Sequence, residues 1–172
     1  MSRITYYPDP NNKPSGFSPG VRAGKLVFIS GQVSLDAEGN LVGEGDCKEQ
    51  SKQCFQNIES IVICSGGSLD DIVKITSFMV NSKNYADYAE VRQNLFPDDG
   101  PASSTVFING LVDDRFLIEI EAVAIIDSAL LIESQNYKNV DKVVIVQSTL
   151  ELQIQRVVSR DGESSVSVKN RL

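Results

Sequence analysis

The stretch FLIEIEAVAII, residues 116–126, decides the fold of this chain. Its apolar residues alternate with two carboxylates, and a period of two is typical of a β-strand with one buried face. Glu119 and Glu121 therefore lie on one face of the predicted strand, with Ile118 and Ile120 on the other. Two carboxylates on one face either meet solvent or line a cleft, and the sequence leaves both alternatives open.

The segments around this strand predict further strands and two helices. A helical pattern follows Asp46 and ends before Gly66-Gly67, and a second helix covers about Tyr85–Phe96. Three apolar, β-branched segments predict the other strands: Arg22–Gln32, Ile72–Val80 and Ser104–Ile108. Because each helix returns the chain for another strand, the order predicts an α+β fold with one mixed sheet and two helices on one face.

The composition indicates one domain with an appendage. The chain has 172 residues, of which 41% are hydrophobic and 23% charged, and its net charge is −7. Because Lys and Arg never cluster, we expect no nucleic acid and no membrane surface as a partner. No apolar run approaches the roughly 20 residues that span a bilayer, and no signal pattern follows Met1, so we expect a cytoplasmic protein.

Three cysteines, Cys47, Cys54 and Cys64, fall within the first predicted helix. Their spacing matches neither a disulfide framework nor a metal-binding or redox motif. We therefore expect reduced packing residues and no metal site.

The charge balance changes near Asp127, from strongly acidic before it to slightly basic after it. This shift predicts a domain over residues 1–127 and a β-rich C-terminal extension over residues 128–172. Alternating apolar residues at 150–154 predict one strand of a hairpin, with its turn at 160–163.

The chain contains no histidine, so any catalysis would use carboxylates, hydroxyls, backbone groups and water. A glutamate in partly apolar surroundings has a raised pKa and can relay protons, which makes Glu119 or Glu121 the candidate general acid/base. The glycine of Ser30-Gly31-Gln32 allows a ligand to approach the backbone, although it also fits a bulge or a strand end. The hydroxyls of Ser103-Ser104-Thr105 either line the same cleft or begin a strand.

Five motifs follow one another along residues 15–127. They are GVRAG at 20–24 leading to FISGQ at 28–32, QCFQNI at 53–58, DIVKIT at 71–76, GPASSTV at 100–106 and IEIEAVA at 118–124. Their order and spacing resemble those of the Rid/YjgF family of reactive-intermediate deaminases. Jointly the motifs are specific for that family, although none of them is specific alone.

The resemblance implies a chorismate-mutase-like subunit in a homotrimer, with ligand clefts between subunits. It also implies hydrolysis of a small-molecule imine or enamine to a carbonyl compound and ammonia, without a cofactor. Glu119 matches the family's glutamate, which acts with a water molecule at the imine. Gly31 matches the glycine that contacts the substrate.

Three positions depart from the family pattern. Ser103 stands where the family has a carboxylate-binding arginine, and Phe17 and Thr105 replace the usual pocket tyrosine and cysteine. A serine hydroxyl replaces neither the charge nor the fork of a guanidinium, which puts activity on 2-aminoacrylate in doubt. Arg92 is a candidate substitute, although a solvated helix residue is its ordinary interpretation. Phe17 and Thr105 make the expected pocket more apolar, which suits an uncharged or ring-bearing substrate.

Two other functions stay open at this point. One is a pathway-specific tailoring enzyme that hydrolyses, cyclises or isomerises a metabolite without a carboxylate, which the loss of the arginine favours. The other is a trimer that binds a metabolite without turning it over.

Overall fold

A computed structural model describes residues 3–126 and 149–161 of the chain. Its strands form one mixed six-stranded sheet in the order β1-β2-β3-β6-β4-β5. The strands are β1 (Ile4–Tyr6), β2 (Gly20–Ala23), β3 (Leu26–Gln32), β4 (Ile72–Met79), β5 (Ala102–Phe107) and β6 (Ile118–Ile125). The α-helices of the described residues are α1 (Cys47–Cys64), α2 (Tyr85–Leu95) and α3 (Leu150–Asp161). The α+β architecture is as predicted.

Helix α1 begins and ends at the residues that the sequence indicates. The Asp46 carboxylate accepts hydrogen bonds from the backbone N–H groups of Lys48, at 2.9 Å, and Glu49, at 3.1 Å, which satisfies two donors of the first turn. Gly66 follows the helix in the left-handed conformation, with φ 91°, as is common for glycine after a helix.

The hydrophobic core of the protein lies on one face of the sheet. Strand β6 pairs antiparallel with β3 and β4, while β5 pairs parallel with β4 through the crossover helix α2. The side chains of β6 alternate between buried and more exposed positions. Its buried residues pack with the apolar side of α1 in one core cluster, including Phe55, Ile58, Ile61, Ile118, Ile120, Ala122 and Ala124.

The opposite face of the sheet, which we call the open face, keeps large apolar side chains in contact with solvent. The exposed fraction is 48% for Phe28, 43% for Val106 and 42% for Ile125. Glu119 and Glu121 lie on this same face, because Glu119 is the register partner of Phe78, and Phe78 is the partner of Val106. The open face therefore combines exposed apolar side chains with two carboxylates.

One predicted strand needs correction, and one strand of the sheet was not predicted. The strand predicted for Arg22–Gln32 is a hairpin of β2 and β3, whose turn at Gly24-Lys25 uses a positive φ of 64° at Gly24. The short strand β1 at Ile4–Tyr6 was not predicted, since three residues carry too little periodicity to recognise.

The strand predicted at Leu150, Leu152 and Ile154 is wrong, because these residues lie in helix α3. Thr149 lies just before the helix, and its hydroxyl accepts a hydrogen bond from the backbone N–H of Leu152 at 3.4 Å. Leu150, Ile154 and Val157 also recur at helical spacing, so a short alternation did not distinguish strand from helix. The rest of the predicted extension, 128–148 and 162–172, lies outside the described residues.

The chain divides into two compact units, Met1–Asn136 and Tyr137–Leu172. The sheet, α1 and α2 belong to the first unit, and α3 belongs to the second. In the described parts of both units, no helix combines the length and apolar character that a membrane crossing requires. The boundary predicted at residue 127 stays a prediction.

Candidate functional site

Gly31 and Glu119 lie against each other on neighbouring strands. A Cβ atom built on Gly31 would overlap the Oε1 atom of Glu119 and lie 2.7 Å from its Cδ atom. The pairing of β3 with β6 shifts register between Ile29 and Gln32, so Gly31 sits at an irregularity of the ladder. The Glu119 carboxylate therefore occupies the space that a side chain at position 31 would fill.

The Glu119 carboxyl is half-buried on the open face. Burial raises its pKa above the ordinary value, and the negative charge of Glu121, two residues along the same face, adds to the rise. Among the described residues, no group donates a hydrogen bond to this carboxylate or pairs with it. Glu119 therefore holds a proton more readily than a solvated glutamate does, and it can exchange that proton with a small molecule or water.

The backbone around Gly31 is held by its neighbours. The Gln32 amide donates to the carbonyls of Ser30, at 2.9 Å, and Gly31, at 3.2 Å. The Ser30 hydroxyl donates to the Ser18 carbonyl at 2.8 Å, which fixes the loop that carries Phe17 next to this corner. Phe17 itself is 58% exposed. The predicted pair of Gly31 and Glu119 is thus brought together, with Phe17 on the adjoining loop.

A second group of predicted site residues lies elsewhere, in a cleft of about 760 Å³ between α2 and β5. We call it the α2–β5 cleft. It falls within the range of volumes that suits small-molecule ligands. The residues that line it are Tyr85, Ala89, Arg92, Gln93, Phe96, Asp98, Gly100, Pro101, Ser103, Thr105 and Phe107.

Arg92 reaches from α2 across to β5. Its Nη1 atom donates a hydrogen bond to the Ser103 hydroxyl at 2.9 Å, and its Cζ atom lies 5.1 Å from the centroid of the Tyr88 ring. Tyr88 is buried and shares a 2.6 Å hydrogen bond with the Ser77 hydroxyl, which anchors that ring to β4. The guanidinium is therefore held against Ser103, the β5 position at which the family resemblance implies an arginine.

The two groups do not meet within one chain. In the parallel pairing of β4 with β5, Ser103 and Thr105 are the partners of Ile75 and Ser77, whose side chains point to the helix-covered face. Glu119 lies on the open face. The sheet therefore separates the Arg92 group from the Gly31–Glu119 pair.

Sequence reasoning missed two contributors to the α2–β5 cleft. Tyr88 supports the Arg92 guanidinium, and the spacing of four residues on one helix was the signal that could have shown it. Asp98 is a further lining residue, and it follows Pro97 in a loop whose path no periodicity indicates.

The cysteines offer no reactive thiol at this site. All three lie in α1 and are free, and burial raises the pKa of Cys47 to about 11. Burial also raises the pKa of Cys54. Within residues 3–126 and 149–161, no group of three or more potential metal ligands is placed to hold an ion.

Comparison with known proteins gives the family. The sequence profile described as Endoribonuclease L-PSP matches residues 10–126, about two thirds of the chain. The chain belongs to the Rid/YjgF (L-PSP) family. This confirms the family predicted from the motifs.

Related proteins and solved structures of the Rid/YjgF (L-PSP) family align with this chain over nearly the whole of their own length. A RutC family protein of Pyrococcus abyssi is 34% identical over 72% of this chain and 98% of its own. RidA from the Antarctic bacterium Psychrobacter sp. is 30% identical with a TM-score of 0.64, over 72% of this chain and 99% of its own. Yeast Mmf1 is 28% identical with a TM-score of 0.66, over 72% and 98%. The predicted chorismate-mutase-like fold is confirmed.

A second profile, described as Dephospho-CoA kinase, matches residues 109–172. This match covers well under half of the chain and overlaps the L-PSP match at β6. The 172 residues contain no Gly-x-x-x-x-Gly-Lys-Ser/Thr motif, which forms the phosphate-binding loop of many nucleotide-binding proteins. We therefore assign the chain no activity from this match.

Proposed function

We propose that this chain hydrolyses small imines or enamines to a carbonyl compound and ammonia, without a cofactor. The observation that carries the proposal is the contact between Gly31 and Glu119, in which a carboxyl of raised pKa lies beside a backbone without a side chain. Membership of the Rid/YjgF family supports the same reaction.

The chemistry requires one group that moves protons. The Glu119 carboxylate takes a proton from water as the water oxygen bonds to the carbon of the protonated imine and the C=N electron pair moves to nitrogen, which forms a neutral carbinolamine. The protonated carboxyl then returns that proton to the nitrogen. The C–N bond breaks and ammonia leaves as the regenerated carboxylate takes the hydroxyl proton and the carbonyl forms. An enamine is first protonated on carbon by the same carboxyl, which yields the protonated imine.

We further propose that a second copy of the chain completes the site, in the homotrimer that the family resemblance implies. One chain leaves the Gly31–Glu119 pair and the Arg92 group on opposite faces of its sheet. The open face, which carries Glu119, also exposes Phe28, Val106 and Ile125, apolar side chains of the kind that a neighbouring copy covers. Both observations support clefts between copies.

RNA cleavage, which the family name Endoribonuclease L-PSP suggests, is not favoured by the charge of this chain. Its net charge is −7, and proteins that bind nucleic acid neutralise phosphates with clustered Lys and Arg.

The test measures ammonia released from a 2-imino acid that an amino-acid oxidase generates in the assay. We expect Glu119→Gln to lower the rate by about 10²–10⁴, the usual contribution of general acid/base catalysis. The matched variant Glu121→Gln removes the same charge two residues along the same face, and it should keep most of the activity. A Glu119→Gln variant as active as wild type would contradict the role of this carboxyl.

A further inference from the structure

The loop before β2 is tied to strand β3 next to Gly31. The Ser30 backbone N–H donates a hydrogen bond to the Pro19 carbonyl at 2.9 Å, and the Ser30 hydroxyl donates to the Ser18 carbonyl at 2.8 Å. Ser30 directly precedes Gly31, whose backbone lies against the Glu119 carboxylate. A shift of this loop therefore passes to the backbone beside Glu119 through two hydrogen bonds.

Tyr7 holds the same loop through a third hydrogen bond. Its phenol oxygen lies 3.0 Å from the Ser18 Oγ atom, so the two hydroxyls share a proton donor and an acceptor. The Ser18 carbonyl serves Ser30, and the Ser18 hydroxyl serves Tyr7. Tyr7 is therefore connected, through Ser18 and Ser30, to the residue next to Gly31.

Other contacts fix the position of Tyr7 itself. The Cys64 thiol of α1 donates a hydrogen bond to the Tyr7 carbonyl at 3.6 Å, and the Lys13 Nζ atom lies 5.1 Å from the centroid of the Tyr7 ring. Hydrogen bonding by Ser18 and, to a lesser degree, by Thr5 lowers the pKa of the phenol. The residue is thus held by α1 and by its own segment, and its hydroxyl can anchor the loop.

The Tyr7 phenol lies on the same face of the sheet as Glu119. Thr5 pairs with Val21, and Val21 pairs with Phe28, which is exposed on the open face. Because register partners point to one face of a sheet, Thr5 also lies on the open face. Its hydrogen bonding with the phenol brings the Tyr7 hydroxyl to that face as well.

We propose that Tyr7 is a positioning residue for the Gly31–Glu119 pair. Through Ser18 and Ser30 it fixes the backbone at Gly31, on which the alignment of a bound imine with the Glu119 carboxyl depends. The Tyr7 hydroxyl itself touches no reacting atom in this role. The inference rests on the proposed function, and it adds a residue next to β1 that the sequence analysis did not assign to the site.

The test compares Tyr7→Phe with wild type in two measurements on the full chain. The first is hydrogen exchange of the Ser30 amide, which reports directly on its bond to the Pro19 carbonyl. We expect this amide to exchange about three- to tenfold faster in Tyr7→Phe, the factor that one lost hydrogen bond provides. The second is imine hydrolysis, in which kcat should fall by a similar factor. KM should stay unchanged, because every group that contacts the substrate is still present.

Tyr6→Phe is the matched control, since it removes the phenol hydroxyl of the neighbouring residue, which is buried. It should change neither the exchange of the Ser30 amide nor kcat. Ser18→Ala removes the other half of the hydrogen bond and keeps the carbonyl that Ser30 uses, so it should match Tyr7→Phe. The double variant should lose no more than either single variant, because both changes break one bond.

An unchanged Ser30 amide, an unchanged kcat, or a double variant whose losses multiply would overturn the positioning role of Tyr7. If wild type hydrolyses imines and Tyr7→Phe equals it in both measurements, that role fails and the proposed function is unaffected. If wild type hydrolyses no imine while the Ser30 amide exchanges faster in Tyr7→Phe, the proposed function fails and the connection from Tyr7 to the Gly31 backbone is supported.

Discussion

Glu119 is the residue on which the proposed chemistry depends, and its environment comes from two different sources. Its place on a strand follows from the alternation in its own segment. Its contact with Gly31 follows from the register of β3 on β6 and from the irregularity after Ile29, which belong to the folded sheet. The sequence therefore predicted both residues for one site, and their direct contact emerged only from the pairing of distant strands.

Gly31→Ala tests this contact. The new methyl group must displace the Glu119 side chain, which is flexible and can rotate away, so we expect little change in the free energy of unfolding. Activity should fall by about 10²-fold, because a catalytic group displaced by an ångström loses its alignment. Urea unfolding and ammonia release measure the two effects.

Gly110→Ala is the matched control, since a Cβ built on Gly110 meets no atom within 4 Å. It should change neither quantity. Full activity in Gly31→Ala would show that the carboxylate does not need the space beside the glycine.

The raised pKa of Glu119 also predicts how stability depends on pH. In the unfolded chain this carboxyl has its ordinary pKa, so the folded protein binds the proton more tightly than the unfolded chain does. The free energy of unfolding therefore falls as the pH rises through the interval between the two pKa values. Glu119→Gln cannot ionise, so it should be more stable than wild type at neutral pH and equal to it at acid pH.

Denaturation midpoints between acid and neutral pH measure this difference. Glu38→Gln, at an exposed position of a loop, is the control and should follow wild type throughout. A Glu119→Gln variant that is less stable than wild type at neutral pH would contradict the assigned cost of burying this charge.

At the scale of elements, prediction succeeded where local chemistry alone sets the structure. Helix α1 begins at the Asp46 cap, ends at Gly66 and buries its periodic apolar side, and all of these are visible in sequence. Helix α3 was predicted as a strand. Leu150, Leu152 and Ile154 alternate as in a strand, but Leu150 and Ile154 also fit the spacing of a helix. The α2–β5 cleft depends on a crossover between parallel strands, which brings Arg92 over Ser103 and which no local pattern specifies.

At the scale of the whole molecule, the proposed site requires two copies of the chain. The faces of the sheet separate the Gly31–Glu119 pair from Arg92, so one ligand can meet both only where one copy adjoins another. The fold and the family were predictable from the motif order. The placement of Ser103 and Arg92 on the face opposite Glu119 was not, because it depends on which way each side chain points from the sheet.

The most direct measurement is ammonia release after mixing two variants, Glu119→Gln and Arg92→Met, each of which lacks one half of the proposed site, under conditions that exchange subunits. If each site takes Glu119 from one copy and Arg92 from its neighbour, roughly a quarter of the sites in randomly mixed oligomers are intact, so ammonia release should return to about that fraction of wild type. If both residues served one site within the same chain, every site would lack one of them. A mixture as inactive as its two components would contradict the account.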